Sequence, residues 1–207
     1  MDFGHASIKR VWDLSQPIFH NCPGGPGNPL VRVDLIRVAP RDGYNLEQLT
    51  TTTHSGPHVD APLHFIDTGR SITDYLPEDF IGPCRVVDVR TKRPDEEITV
   101  EDLARYSESI LPGSIVLFST GWGKKRAFTN EWVHHSPWLG AKAAQFLVDK
   151  GVKGVGIDHF SIGTTRQELD TPTHLTLLKN GVWIAEDLLI PDEVIGLRSL
   201  FYIGVPL

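Results

Sequence analysis

The sequence predicts an α/β fold, a single domain over residues 1–207 with one mixed β-sheet flanked by helices. Three observations predict it. Short apolar runs of strand length, such as 114–118 and 182–185, are set off by Gly, Pro or Asn. Strand patterns come first along the chain and only later alternate with helical ones. The composition, 40% hydrophobic and 22% charged, is that of a globular chain long enough to bury a core without disulfides or a structural metal. Any metal is therefore expected to serve chemistry before folding.

The elements follow in order. Asn21 to Pro29 is dense in Pro and Gly and reads as a loop. Val31 to Val38 alternates apolar and polar residues, as a half-buried strand does, and Arg85 to Val89 reads as another strand. Thr99 opens a helix: its hydroxyl can cap free amides, and Glu101 and Asp102 suit the positive end. Ser114 to Phe118, following Pro112 and Gly113, predicts a buried strand. Leu139 to Lys150 predicts a helix closed by Gly151, and Val155 to Asp158 the next strand. Thr171 and Pro172 read as an N-cap with a first-turn proline, and Asn180 and Gly181 as the stop of that helix. Strands over Val182 to Ala185 and Leu200 to Val205 complete the set.

Charge narrows the partners. Lys and Arg number 20 against 26 Asp and Glu, and the densest basic cluster, Lys124 to Arg126, is short, so nucleic acid is not expected. No stretch approaches the roughly 18 apolar residues of a membrane span. No leader-type apolar run is visible near the N-terminus. The two cysteines, Cys22 and Cys84, form no Cys-x-x-Cys pair and fit a reducing compartment, so a cytoplasmic protein is expected.

The chemistry concentrates in 54–64, where His54, His58, Asp60 and His64 all occupy even positions. On an extended chain they would project from one face. Gly56, Pro57 and Pro62 rule out a helix there. A straight strand fails too, because ten residues at about 3.3 Å each would set His54 and His64 roughly 33 Å apart. Ligand atoms must lie about 2 Å from an ion, so the segment must bend, and Gly56, Pro57 and Pro62 are the residues that could bend it. Imidazole and carboxylate without thiolate favour Zn²⁺ or Mn²⁺, with a position left open for water.

The pattern His-x-Gly-x-His-x-Asp-x-Pro-x-His resembles the signature of the cyclase family, which includes bacterial kynurenine formamidases and isatin hydrolases. The likeness extends through Asp13 to Ile18, His64 to Gly82, Ser119 to Trp122 and Gly156 to Asp158. His174 and Glu186, twelve apart, resemble the family's distal ligands. The resemblance implies a swivelling β/β/α fold. It implies metal ligands at His54, His58, Asp60, His174 and Glu186, with His64 as general acid/base. Five ligands imply two ions sharing a carboxylate, or one ion of higher coordination. Pro57 stands where the family usually has threonine, and His159 where a smaller residue is usual. Trp122 and Phe65 are the expected aromatic walls of a substrate pocket, and a solvated loop is expected at His134 and His135. The implied activity is hydrolysis of a small aryl amide, N-formylkynurenine above all, by metal-activated water. The alternatives are opening of a cyclic amide or lactone, and a non-catalytic metal- or small-molecule-binding protein on the same fold. A homodimer or homotetramer is implied as well.

Overall fold

The computed structural model describes residues 8–206; residues 1–7, part of the segment searched for a leader, and residue 207 lie outside the described residues. The elements run β1 (Arg32–Arg37), α1 (Ala39–Asp42), β2 (Leu46–Thr50), β3 (His58–Asp60), β4 (Ile81–Asp88), β5 (Glu97–Ile98), α2 (Val100–Ala104) and β6 (Ile115–Ser119). Then come α3 (Asn130–His134), β7 (Trp138–Leu139), α4 (Ala141–Asp149), β8 (Gly154–Ile157), α5 (Gln167–Lys179), β9 (Trp183–Glu186) and β10 (Leu200–Ile203). Short 3₁₀ turns fill several connections, including Pro62–His64.

Apolar runs with no polar alternation need cover on both faces, and the main sheet has it. Its strand order is β10-β4-β6-β8-β9-β3. The four central strands are parallel, while β10 and β3 close the two edges antiparallel. Side chains alternate faces along each strand. In β6, Val116 and Phe118 pack with Leu147 of α4 and Leu177 of α5, whereas Ile115 and Leu117 face Phe80, Leu188 and Trp183. The predicted mixed sheet flanked by helices is therefore the observed one. Among the described residues no helix is long and apolar enough to cross a membrane.

Three element predictions are corrected. The strand at 31–38 forms, but it pairs with β2 in a separate two-stranded ribbon. Leu35 and Ile36 are exposed there, because no second layer lies beneath the ribbon. The helix predicted from Leu139 begins at Ala141, since Trp138 and Leu139 pair in parallel with Glu97 and Ile98. The last long helix begins at Gln167, so Pro172 lies inside it and not in its first turn. Its stop holds: Asn180 caps it and Gly181 takes φ 73°, a conformation that costs glycine little. The start at Thr99 also holds, with Asp102 accepting the Thr99 backbone N–H at 2.7 Å.

Candidate metal centre

The bend required in 54–64 is present. Gly56 takes φ 67°, and Pro62 opens the 3₁₀ turn that carries His64. The chain doubles back far enough to set the His54 and His64 rings 3.9 Å apart, centroid to centroid. Between the two turns, β3 holds His58 and Asp60 on one face, as their spacing predicts.

The sheet brings in the distal residues. β3 and β9 are antiparallel with His58 directly opposite Glu186, so the two side chains share a face at short range. His58 Nε2 lies 3.4 Å from Glu186 Oε2 and 3.5 Å from Asp60 Oδ1. His174, from α5, sets Nε2 3.3 Å from Glu186 Oε1 and 3.8 Å from Asp60 Oδ2. His54 places Nδ1 3.0 Å from Asp60 Oδ1. All five residues assigned as ligands from the sequence thus converge. They form two triads of metal-binding geometry, His54–His58–Asp60 and Asp60–His174–Glu186, which share Asp60.

The donor set fits an ion. The Asp60 side chain is 0% exposed, and although His54 Nδ1 approaches Oδ1 to 3.0 Å, neither oxygen has a partner in hydrogen-bonding geometry; His58 Nε2 also has none. Buried polar atoms without partners are costly unless something else satisfies them, and a cation between the triads would do so. The tautomers agree. His58 Nδ1 lies 2.8 Å from the Gly56 carbonyl and His174 Nδ1 3.1 Å from the Asp170 carbonyl. A carbonyl can only accept, so each Nδ1 carries a proton, and each ring, once its other proton is released, would direct an Nε2 lone pair into the cluster.

Electrostatics describe the metal-free state. Burial opposes charge on His58, but Glu186, Asp60 and the Gly56 carbonyl carry its pKa up to about 9. His174 is raised well above its ordinary value against the same burial, by Asp170 and Glu186. Burial alone would raise Glu186, yet His174 and His58 hold it far below the usual carboxylate range. These shifts favour protons on the imidazoles beside the carboxylates, so binding an ion would be accompanied by proton release. His64, by contrast, is exposed, and its pKa is lowered. Burial of part of its ring, with His54 and His174 nearby, outweighs the pull of Asp60.

The remaining candidates separate. Phe65 stands at the site, stacked on His174 with centroids 4.6 Å apart and edge-on to His64 at 4.7 Å. Trp122 does not form an open wall. It is 3% exposed, its indole N–H donates to the Trp132 carbonyl at 3.2 Å, and Trp132 returns the same bond. His159 is also a core group. Its Nε2 lies 2.8 Å from the Trp132 carbonyl, and burial pushes its pKa down to about 4. His134 ends α3 and His135 caps it, its Nδ1 2.6 Å from Asp95 at the surface, where a solvated loop was expected. Sequence reasoning missed Asp170, whose carboxylate lies 3.3 Å from His174 Nδ1. The i,i+4 spacing of the two residues was legible, but starting the helix at Thr171 left Asp170 outside it. It also missed the buried pair of Arg126 and Asp187 at 2.8 Å, for which spacing offers no signal.

Comparison with known proteins gives the family. The family model described as "Putative cyclase" matches residues 12–164. A kynurenine formamidase of Bacillus mycoides (strain KBAB4) is 28% identical over 201 residues, covering 94% of this chain and 88% of its own. A solved structure of a potential metal-dependent hydrolase with cyclase activity is 29% identical, with a TM-score of 0.72, covering 94% of this chain and 87% of that one. Isatin hydrolase A from Labrenzia aggregata, bound to benzyl benzoate, has the same fold, with a TM-score of 0.84 at 24% identity over 96% of this chain and 87% of that one. The signature at 54–64, the converging triads and the family match lead to one conclusion: the chain belongs to the cyclase family.

Proposed function

We propose that this protein is a metal-dependent hydrolase of small amides, with N-formylkynurenine as its leading substrate and kynurenine and formate as products. The observation that carries the reading is the carboxylate of Asp60, buried without hydrogen-bond partners and shared by both triads. His54, His58, Asp60, His174 and Glu186 would hold one or two ions of Zn²⁺ or Mn²⁺. When bound, the ion supplies an activated water and Lewis-acid polarisation of the scissile carbonyl. His64 sits at the open side of the cluster, and its lowered pKa leaves the ring neutral near pH 7. It accepts the proton of the attacking water and returns it to the departing amine nitrogen. Phe65 holds the His64 edge and offers an aromatic surface to an aryl substrate. The kynurenine formamidase relative supports this choice of substrate.

A second reading is opening of a cyclic amide or lactone, supported by the fold this chain shares with isatin hydrolase A. A homodimer or homotetramer in the cytoplasm remains part of the proposal, and the exposed Leu35, Leu46 and Leu49 of the β1–β2 ribbon support self-association. The test is metal content together with hydrolysis of N-formylkynurenine and isatin, each with and without chelator. Chelator-sensitive cleavage of N-formylkynurenine supports the leading reading, and cleavage of isatin alone supports the second. Stoichiometric metal without turnover of any amide or lactone would leave the non-catalytic binding protein.

A further inference from the structure

We infer that the turn Ser161–Thr164 positions the distal half of the metal centre, holding Glu186 directly and His174 through Asp170. The inference rests on the reading of His174 and Glu186 as ligands.

The turn grips both. The Ile162 backbone N–H donates to Glu186 Oε1 at 2.7 Å, which fixes the rotation of that carboxylate. On either side, the Ser161 hydroxyl and the Thr164 N–H donate to Asp170 Oδ1 at 2.9 and 3.2 Å. That leaves Oδ2 facing His174 Nδ1 at 3.3 Å, one helical turn along α5. With the Asp170 carbonyl also accepting from the same nitrogen, the imidazole has a single orientation in which Nε2 points at Asp60 and Glu186. Ser161 is itself held, its oxygen accepting the Gly163 N–H at 3.1 Å.

Gly163 makes the approach possible. A Cβ there would meet the Asp170 carboxylate and lie 2.9 Å from its Cα, closer than side chains pack. A glycine is thus required by contact with a residue that touches a ligand. Two ligands more than ten residues apart in sequence are set by one four-residue turn, so the turn's geometry becomes the geometry of the site.

The experiment is Zn²⁺ titration of the metal-stripped protein against a chromophoric chelator, alongside thermal unfolding of the same metal-free samples. Asp170→Ala should weaken Zn²⁺ binding about 10- to 100-fold. Ser161→Ala should weaken it about tenfold, and Ser161→Thr, which keeps the hydroxyl, should restore most of the loss. Gly163→Ala should lower affinity as well, although it touches no ligand. Parent-like affinity in Asp170→Ala and Ser161→Ala, whatever their melting points, overturns the positioning role while leaving the ligands in place. Loss in Ser161→Ala without rescue by Ser161→Thr also overturns it, since general destabilisation would then explain the loss. A parent protein that takes up neither Zn²⁺ nor Mn²⁺ overturns the ligand reading itself, and the positioning role with it.

Discussion

The two halves of the candidate metal centre are built differently. The outer half comes from one stretch of eleven residues, in which turns on both sides of β3 carry His54 and His64 toward solvent, and the His54 side chain is 28% exposed. The inner half comes from two distant elements, a helix and a strand, whose His174 and Glu186 are 3% and 4% exposed and hydrogen-bonded from behind. A hydrolytic site needs both characters. The side that exchanges protons with a substrate must be reachable and adjustable, while the side that holds charge must be rigid and dry.

The contrast can be broken at the residue that joins the halves. Asp60→Ala should remove both triads at once, with loss of bound metal and a fall in turnover on the order of 10⁴-fold. Retention of a full metal complement by this variant, measured by elemental analysis, would show that the halves do not share a carboxylate. On the outer side alone, His64→Ala should lower turnover about 10³-fold with metal content unchanged. Parent-rate hydrolysis would remove His64 from the mechanism.

The seam where the two halves meet answers to pH. The metal-free protein holds His58 at about 9, above the value near 6.5 expected for an unfolded chain. A raised pKa stabilises the fold fully below about pH 6.5, and that stabilisation is lost as pH rises through about 9. His174 shifts in the same direction. Chelator-treated protein should therefore lose on the order of 3 kcal/mol between pH 6.5 and 9, measured by denaturant unfolding. Saturation with Zn²⁺ should abolish the loss, because the ion replaces those protons. A flat profile without metal would mean that the imidazoles are neutral there and the cluster is held by other forces.

The smallest effect lies outside both halves. Trp122→Phe removes the indole donor to the Trp132 carbonyl and should cost about 1–3 kcal/mol of stability. KM should not move. A raised KM at parent stability would return Trp122 to the substrate wall.

How much of this was legible follows the same division. The outer half could be read because its candidate ligands are neighbours in sequence and its bends have visible causes in Gly56 and Pro62. The residues of the inner half were reachable only through family resemblance, because no local pattern says that position 58 will face position 186. That pairing is a property of sheet register. The fold class was legible from apolar runs buried on both faces, whereas the β1–β2 ribbon was misjudged because its alternation faces no layer beneath it. The early start of α5 escaped because a proline inside a helix, here Pro172, looks from sequence like a proline at its beginning. With that start displaced, Asp170 and the Ser161–Thr164 turn lost their meaning.

The pairing of β3 with β9 also bears on the order in which the molecule assembles. His58, on a three-residue strand at the edge of the main sheet, pairs with Glu186 of β9, 128 positions later in the chain. Contacts this remote close slowly, and a short edge strand is held by few bonds of its own. Contact order thus predicts that the site closes late in folding and that β3 frays more readily than the central parallel strands. An ion bound across that seam favours the fully closed chain over the frayed one by mass action. Metal supply would then govern how long this edge stays shut, and with it the lifetime of the protein under proteolysis.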